Sequence, residues 1–135
     1  QDVPIAITAF TAEQLARRNI VDTYDLVRNI PNLTGNNNVG VGTSSSYYIR
    51  GIGNGESIAT FDVPVGTYVD DVYIARQNQN NFSMFDVERI EVLRGPQGTL
   101  FGRNTTGGAI NIVMKKPSAE HRGYVEAGIG RFGLY

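Results

Sequence analysis

Short stretches of alternating apolar and polar residues run along the chain, and this spacing predicts half-buried β-strands. From Val3 to Ala9 the larger aliphatic residues fall on one side, and Pro4 places that strand at a sheet edge or a strand start. In the segment from Val87 to Arg94, Ile90 and Val92 share one face. Two further strands are predicted at residues 47–50 and 109–114.

A two-residue hairpin is predicted where Asp70 and Asp71 separate strands at residues 65–69 and 72–75. Asp71 stands where glycine is preferred, so we expect either a slightly strained turn or another turn type.

Two short helices are predicted between the first two strands. Thr11 and Gln14 have the capping-box spacing at the start of a helix over residues 12–18. Asp22 can cap a second helix over residues 23–29. A single helical turn is also predicted at residues 99–101.

Polar stretches rich in Gly, Asn and Ser connect these elements and are predicted to be loops. The longest runs from Asn32 to Ser46, and another from Arg76 to Asn81. The order of elements therefore predicts an α+β fold, with a small mixed sheet, short helices and long polar loops.

The composition of the chain argues against some classes of protein and some kinds of metal site. The chain has 135 residues, which is the length of one domain, and a net charge of -1. That charge argues against a nucleic-acid-binding protein, which needs a strongly basic face. The sequence has no Cys and one His, so it offers no thiolate or paired-His metal site.

The candidate catalytic and cofactor motifs lack the residues or the spacing that their chemistry requires. The glycines from Gly51 to Gly55 lack dinucleotide-site spacing, and the Gly102–Gly107 segment lacks the lysine of a phosphate loop. The serines near Ser44 have no evident His or Asp partner, and His121 stands in a polar linker. We therefore predict no enzyme, no cofactor and no metal site.

Glycines and arginines concentrate between Phe85 and Pro117. The predicted turn residues in this stretch are Gly95, Pro96, Gly98, Gly102, Gly107 and Gly108, and Gly51 is a further one before it. Arg89, Arg94 and Arg103 lie among apolar residues, where arginines usually need carboxylate partners. Glu88 and Glu91 are candidate partners, and so are acids on another polypeptide segment.

The segment from Gly123 to Tyr135 alternates apolar with polar or glycine residues. This pattern is typical of a membrane β-barrel strand, and it also fits an ordinary edge strand.

The stretch ERIEVLRGPQGTLFGRNTTGGAINI resembles the signature of plug domains in TonB-dependent outer-membrane receptors. Four other segments resemble that family in the same order: VPIAITAFTAEQL, DLVRNIPNL, YYIRGIG and VGTYVDDVYI. The resemblance covers about residues 3–117, and the tail from Arg122 resembles the first barrel strand. It implies a plug domain at residues 1–117, followed by a linker and the first strand of a truncated barrel at residues 118–135.

The resemblance also implies the surroundings of the plug. Family plugs lie inside a barrel of about 22 strands, which needs upwards of ~200 residues, so we expect this chain to be a piece of a longer receptor. The expected location is the outer membrane of a Gram-negative bacterium, with contact to the membrane only through the barrel. TonB would bind a segment upstream of Val3 and transmit energy for uptake of a scarce ligand. A ferric siderophore or similar iron complex is the expected ligand, with cobalamin or an oligosaccharide as the alternative within the family.

Family roles pass to particular positions of this sequence. Arg50 and Arg94 match arginines that pair with barrel glutamates and lock the plug, and Glu88, Arg89 and Glu91 are grouped with them. The alternative is that Arg50 or Arg94 pairs with Glu88 or Glu91 inside the plug. The residues expected to face the ligand lie at 35–46, 53–62 and 76–81, and they are Asn36, Asn37, Asn38, Ser44, Ser45, Asn54, Glu56, Arg76, Gln77 and Gln79.

Two interpretations from other classes remain open on the residues alone. One is a stand-alone soluble α+β binding module. The other is an enzyme domain whose catalytic residues lie elsewhere.

Overall fold

Two β-sheets and a few short helices make up the chain in a computed structural model, which describes residues 6–37, 44–55, 62–121, 123 and 125. Over those residues the strands are β1 (Ala6–Thr11), β2 (Leu33–Asn37), β3 (Ser45–Ile49), β4 (Ile52–Gly53), β5 (Val65–Val69), β6 (Val72–Ile74), β7 (Val87–Arg94) and β8 (Gly108–Met114). The α-helices are α1 (Ala12–Arg17) and α2 (Gly98–Phe101), and two 3₁₀ helices span Thr23–Arg28 and Gln77–Gln79.

The larger sheet has the strand order β1-β7-β8-β5-β6. The strands are antiparallel except for β5 and β8, which pair in parallel, with Val65 opposite Gly108. Alternation in β7 and β8 brings Ile90, Val92 and Ile110 to one face, where they are fully buried. The smaller sheet, in the order β2-β3-β4, contributes Leu33 and Ile49 to the same core.

The predicted α+β class is confirmed, and so is the helix start at Ala12. The Thr11 hydroxyl accepts a hydrogen bond from the Gln14 N–H, and the Gln14 side chain accepts one from the Thr11 N–H. Asp22 caps the second helix as predicted, but that helix is a 3₁₀ helix of six residues. Its i to i+3 bonding is common in such short pieces.

The prediction of a loop from Asn32 to Ser46 was wrong at both ends. Residues Leu33–Asn37 form β2, which pairs with Ser45–Ile49 in antiparallel register. This strand pair has little apolar alternation, and backbone hydrogen bonds hold it with Leu33 and the small serines buried. The stretch from Arg76 to Asn81 likewise contains a 3₁₀ helix.

The predicted hairpin at Asp70 and Asp71 is confirmed. Both residues have positive φ, 47° and 66°, as a type I′ turn requires. The Asp70 Oδ1 accepts a hydrogen bond of 2.9 Å from the Met114 N–H, which ties the turn to the end of β8. Aspartate tolerates this left-handed backbone better than most residues, so an Asp-Asp pair forms the turn without glycine.

The predicted strand at residues 123–135 lies outside the described residues, apart from Gly123 and Val125, which are exposed. The first residues of the strand predicted at 3–9 lie outside them too. None of the described helices has the length and apolar character needed to cross a bilayer.

Two consecutive glycines let the smaller sheet approach the larger one. A Cβ at position 107 would lie 3.1 Å from the Ile52 carbonyl oxygen, a contact that requires the neighbour to shift. At position 108, where φ is 149°, a Cβ would overlap the Leu93 carbonyl oxygen and lie 2.8 Å from the Ile49 Cδ1. The sequence prediction that these glycines serve close backbone approach fits this packing.

We expect Gly108→Ala to lower the free energy of unfolding by about 2–4 kcal/mol, since it adds backbone strain and a backbone clash. The matched control is Gly98→Ala, because a Cβ there meets no atom within 4 Å and the residue opens α2. Urea unfolding followed by circular dichroism measures both variants. Equal stability of the two would contradict the packing role of Gly108.

Candidate functional site

Arg50 and Arg94 lie at the same end of the domain. Arg50 follows β3 in a left-handed backbone conformation, with φ at 52°, and Arg94 ends β7. The Arg50 Nη1 lies 3.6 Å from the position that a Cβ on Gly95 would occupy, so the two arginine-glycine turns are neighbours. The Gly95 N–H donates to the Gly107 carbonyl oxygen at 3.0 Å, which holds the second turn against the start of β8.

These two arginines have no carboxylate partner among the described residues, where every ion pair involves other groups. The Arg94 Nε is buried and has no hydrogen-bond acceptor in that part of the chain. In the structure, neither Glu88 nor Glu91 pairs with Arg50 or Arg94. This end of the domain therefore presents positive charge that the described residues do not neutralise.

Glu88, Arg89 and Glu91 instead form their own ion-pair cluster on β7. The Arg89 Nε donates to Glu91 at 2.8 Å, and the Arg89 Nη1 lies 3.3 Å from Glu88. The hydrogen bond that Arg89 donates to Glu91 is the main cause that raises the pKa of Arg89. Glu88 is exposed, and Arg89 and Glu91 are half-buried, so solvent screens the cluster and we expect only a small contribution to stability from it.

The second 3₁₀ helix links the described parts of the three polar segments that are expected to face a ligand. The Gln77 Nε2 donates to the Asn54 carbonyl oxygen at 3.0 Å. The Asn80 Nδ2 donates to the Ser45 carbonyl oxygen at 3.5 Å. Residues 76–81 therefore contact both of the other polar segments.

The expected ligand-facing residues divide into three groups. Exposed side chains belong to Asn36, Asn37, Arg76 and Gln79, and Asn54 is half-buried. Ser44, Ser45 and Gln77 are buried, with exposed fractions of 1%, 0% and 6%. Their assignment to an exposed surface is corrected, because their side chains point into the domain. Asn38 and Glu56 lie outside the described residues.

Sequence reasoning missed the buried partners beneath this surface. The backbone oxygen of Asn80 accepts hydrogen bonds from the Thr23 hydroxyl at 2.8 Å and the Tyr47 hydroxyl at 3.3 Å. Asn80 is 2% exposed and Thr23 is fully buried. Gln77 and Asn80 are three residues apart, which is one turn of a 3₁₀ helix, and that spacing was the available signal that both face inward.

No group of three or more His, Asp or Glu side chains in the described ranges is placed to hold a metal ion. What the arrangement offers chemically is a cation and several amides on an exposed surface, and two arginines at the edge near Gly95. Such groups bind and orient polar partners through hydrogen bonds and charge.

Comparisons with known proteins agree on one family. A family model described as the TonB-dependent receptor plug domain matches residues 1–109. The chain is 34% identical over 131 residues to the pesticin receptor of Yersinia pestis, a match that covers 97% of this chain and 19% of the relative. It is 34% identical over 128 residues to the ferric enterobactin receptor PirA of Pseudomonas aeruginosa, covering 87% of this chain and 17% of that protein.

A solved structure gives the same result for the fold. The crystal structure of the ferric yersiniabactin uptake receptor FyuA from Yersinia pestis matches with a TM-score of 0.75 and 31% identity. The match covers 86% of this chain and 18% of that receptor. The chain thus spans about a fifth of the length of the curated relatives that it matches.

The stability of the folded protein should depend on pH through Tyr47, whose hydroxyl donates to the Asn80 backbone oxygen. Burial raises the pKa of Tyr47 from 10.0 to about 12, so the neutral phenol favours the folded state. This stabilisation amounts to about 3 kcal/mol below pH 10, where it is complete, and it is lost as the pH rises toward 12. We expect Tyr47→Phe to flatten the decline in unfolding free energy over that range. Parallel pH profiles of the two proteins in urea unfolding would contradict this origin.

Proposed function

Because the chain belongs to the family of TonB-dependent receptor plug domains, we propose that it closes the barrel of an outer-membrane receptor that takes up a ferric siderophore. The observation that carries this proposal is the shared plug fold with a receptor for ferric yersiniabactin, together with 34% identity to a ferric enterobactin receptor. Uptake is transport without bond chemistry, so the proposed protein is a transport receptor and no enzyme.

The unneutralised arginines support a plug within a larger protein. Burying part of a guanidinium costs folding free energy unless a carboxylate pairs with it. Removing one partner of a buried ion pair is strongly destabilising for the same reason. The buried Nε of Arg94 and the neighbouring Arg50 lie at one edge, where carboxylates of a surrounding barrel would complete them. We assign the plug-barrel lock to Arg50 and Arg94. Glu88, Arg89 and Glu91 are left out of it, since Arg89 already pairs with both carboxylates.

The exposed part of the polar segments is the proposed ligand-facing surface. It consists of Asn36, Asn37, Arg76 and Gln79, with Asn54 at its margin. Amide groups can hydrogen-bond a polar chelate, and Arg76 suits an anionic one. Cobalamin and oligosaccharides remain the other ligand classes within the family, and the names of the relatives favour an iron complex.

The partners follow from this assignment. The barrel would be the rest of the same polypeptide, and TonB would act on a segment upstream of β1. The plug would meet the membrane only through that barrel, in the outer membrane of a Gram-negative cell. The proposed boundary of the plug domain is Pro117, and the end of β8 at Met114 supports it.

The full-length receptor that carries this plug tests the function directly. We expect it to bind ferric enterobactin or ferric yersiniabactin and to restore growth under iron limitation to a strain lacking its own siderophore receptors. The same strain lacking TonB is the control, and growth there should not be restored. Binding of cobalamin or a malto-oligosaccharide alone would move the protein to another ligand class. A gene that ends near Tyr135 would favour the stand-alone binding module.

The arginine lock is tested in the same receptor. We expect Arg50→Ala combined with Arg94→Ala to increase amide hydrogen exchange across β7 and β8, because the plug loses its charged contacts to the barrel. Arg103→Ala is the matched control, since Arg103 is an exposed arginine on the turn after α2. Unchanged exchange and unchanged uptake in the double variant would refute the assignment.

A further inference from the structure

The second 3₁₀ helix cannot hold its own position. It has three residues, Gln77–Gln79, and no side chain caps its start. So short a helix is marginal in isolation, and contacts with the rest of the chain must fix it. Its exposed members, including Gln79, would otherwise sample many arrangements.

Two inward-facing amides supply those contacts. Gln77 and Asn80 are 6% and 2% exposed, whereas Arg76 and Gln79 lie on the surface between and beside them. The Gln77 amide donates to the backbone of the segment that includes Asn54, at 3.0 Å. The Asn80 amide donates over a longer 3.5 Å to the backbone of Ser45, at the start of β3.

Hydrogen bonds from the core side of the domain also hold Asn80 in place. Its backbone oxygen accepts the hydroxyls of Thr23, at the start of the first 3₁₀ helix, and Tyr47, on β3. Asn81 continues this attachment, since its Oδ1 accepts the Tyr24 N–H at 3.1 Å. The helix is therefore anchored to the domain core on one side and linked to two polar segments on the other.

We propose that Gln77 and Asn80 are positioning residues that hold Asn54, the start of β3 and the second 3₁₀ helix together as one preorganised ligand-binding surface. The proposal rests on the proposed function and deepens it. Neither amide touches the ligand. Each fixes the segment whose exposed residues do, so that a large fraction of receptors has the binding-competent arrangement before the ligand arrives. Loss of either link lowers that fraction and weakens apparent affinity in proportion.

The variants Gln77→Leu and Asn80→Leu remove the amide groups that make the links, and leucine has the same branching and number of side-chain heavy atoms as asparagine. The Gln77 Oε1 and Asn80 Oδ1 have no donor among the described residues, so each change also removes an unsatisfied acceptor, which offsets part of the cost of taking a donor from the Asn54 or Ser45 carbonyl oxygen. The matched control is Asn111→Leu. Asn111 is 6% exposed on β8, its Oδ1 likewise lacks a donor in the described ranges, and it joins no polar segment.

Hydrogen exchange in the ligand-free, full-length receptor is the first measurement. We expect Gln77→Leu to raise exchange about two- to tenfold near Asn54, and Asn80→Leu to raise it by less near Ser45, because its bond is longer. Asn111→Leu should change neither region. Unchanged exchange at both sites would overturn the proposal, whatever ligand the receptor takes.

Binding kinetics with ferric yersiniabactin and ferric enterobactin separate positioning from contact. Lost preorganisation lowers the association rate about two- to tenfold and leaves dissociation unchanged. Arg76→Ala, which removes a proposed direct contact, should mainly speed dissociation. Raised exchange with unaltered association would refute the positioning role. A wild-type receptor that binds neither chelate would count against the proposed function, and the exchange measurement would still decide the linkage.

Discussion

The close approach of the two sheets at Gly107 and Gly108 is the constraint on which the rest of the structure depends. Side chains at these positions would push back the turn from Arg50 to Ile52 and the end of β3. With that turn in place, the Arg50 guanidinium lies beside Gly95, the residue that follows Arg94. The same contact fixes one end of β3.

β3 then transmits that constraint along the domain. A strand rises about 3.3 Å per residue, so Ser45 lies about 13 Å from Ile49. At the Ile49 end the strand meets the glycines, and at the Ser45 end it meets Asn80 and, through Asn80, the second 3₁₀ helix. The arginine edge and the polar surface are thus built on opposite ends of one short strand. A displacement of β3 would alter both.

Local patterns predicted the elements that local physics determines. Alternation in β7 and β8, the capping box at Thr11 and the Asp-Asp turn all depend on neighbours in sequence. β2 escaped prediction because Thr34 to Asn37 has no apolar alternation, and its order comes from backbone pairing with β3. The burial of Gln77 was missed for a related reason, since its partner Asn54 is distant in sequence. The adjacency of Arg50 and Arg94 likewise needs the folded sheets, and only the family resemblance linked them beforehand.

The two ends of the domain differ in whether a buried charged group lacks a partner. This difference bears on what kind of protein it is. At the polar end, Gln77, Asn80 and Thr23 donate hydrogen bonds within the chain, and the buried acceptors without a donor there, Gln77 Oε1 and Asn80 Oδ1, belong to neutral amides. At the arginine end, a buried guanidinium nitrogen lacks any acceptor among the described residues. A stand-alone binding module would be expected to satisfy its own buried charge, because an unpaired one lowers stability. A buried charge without a partner at one edge is what a domain built to fit against another surface requires, and it favours a plug over an independent module.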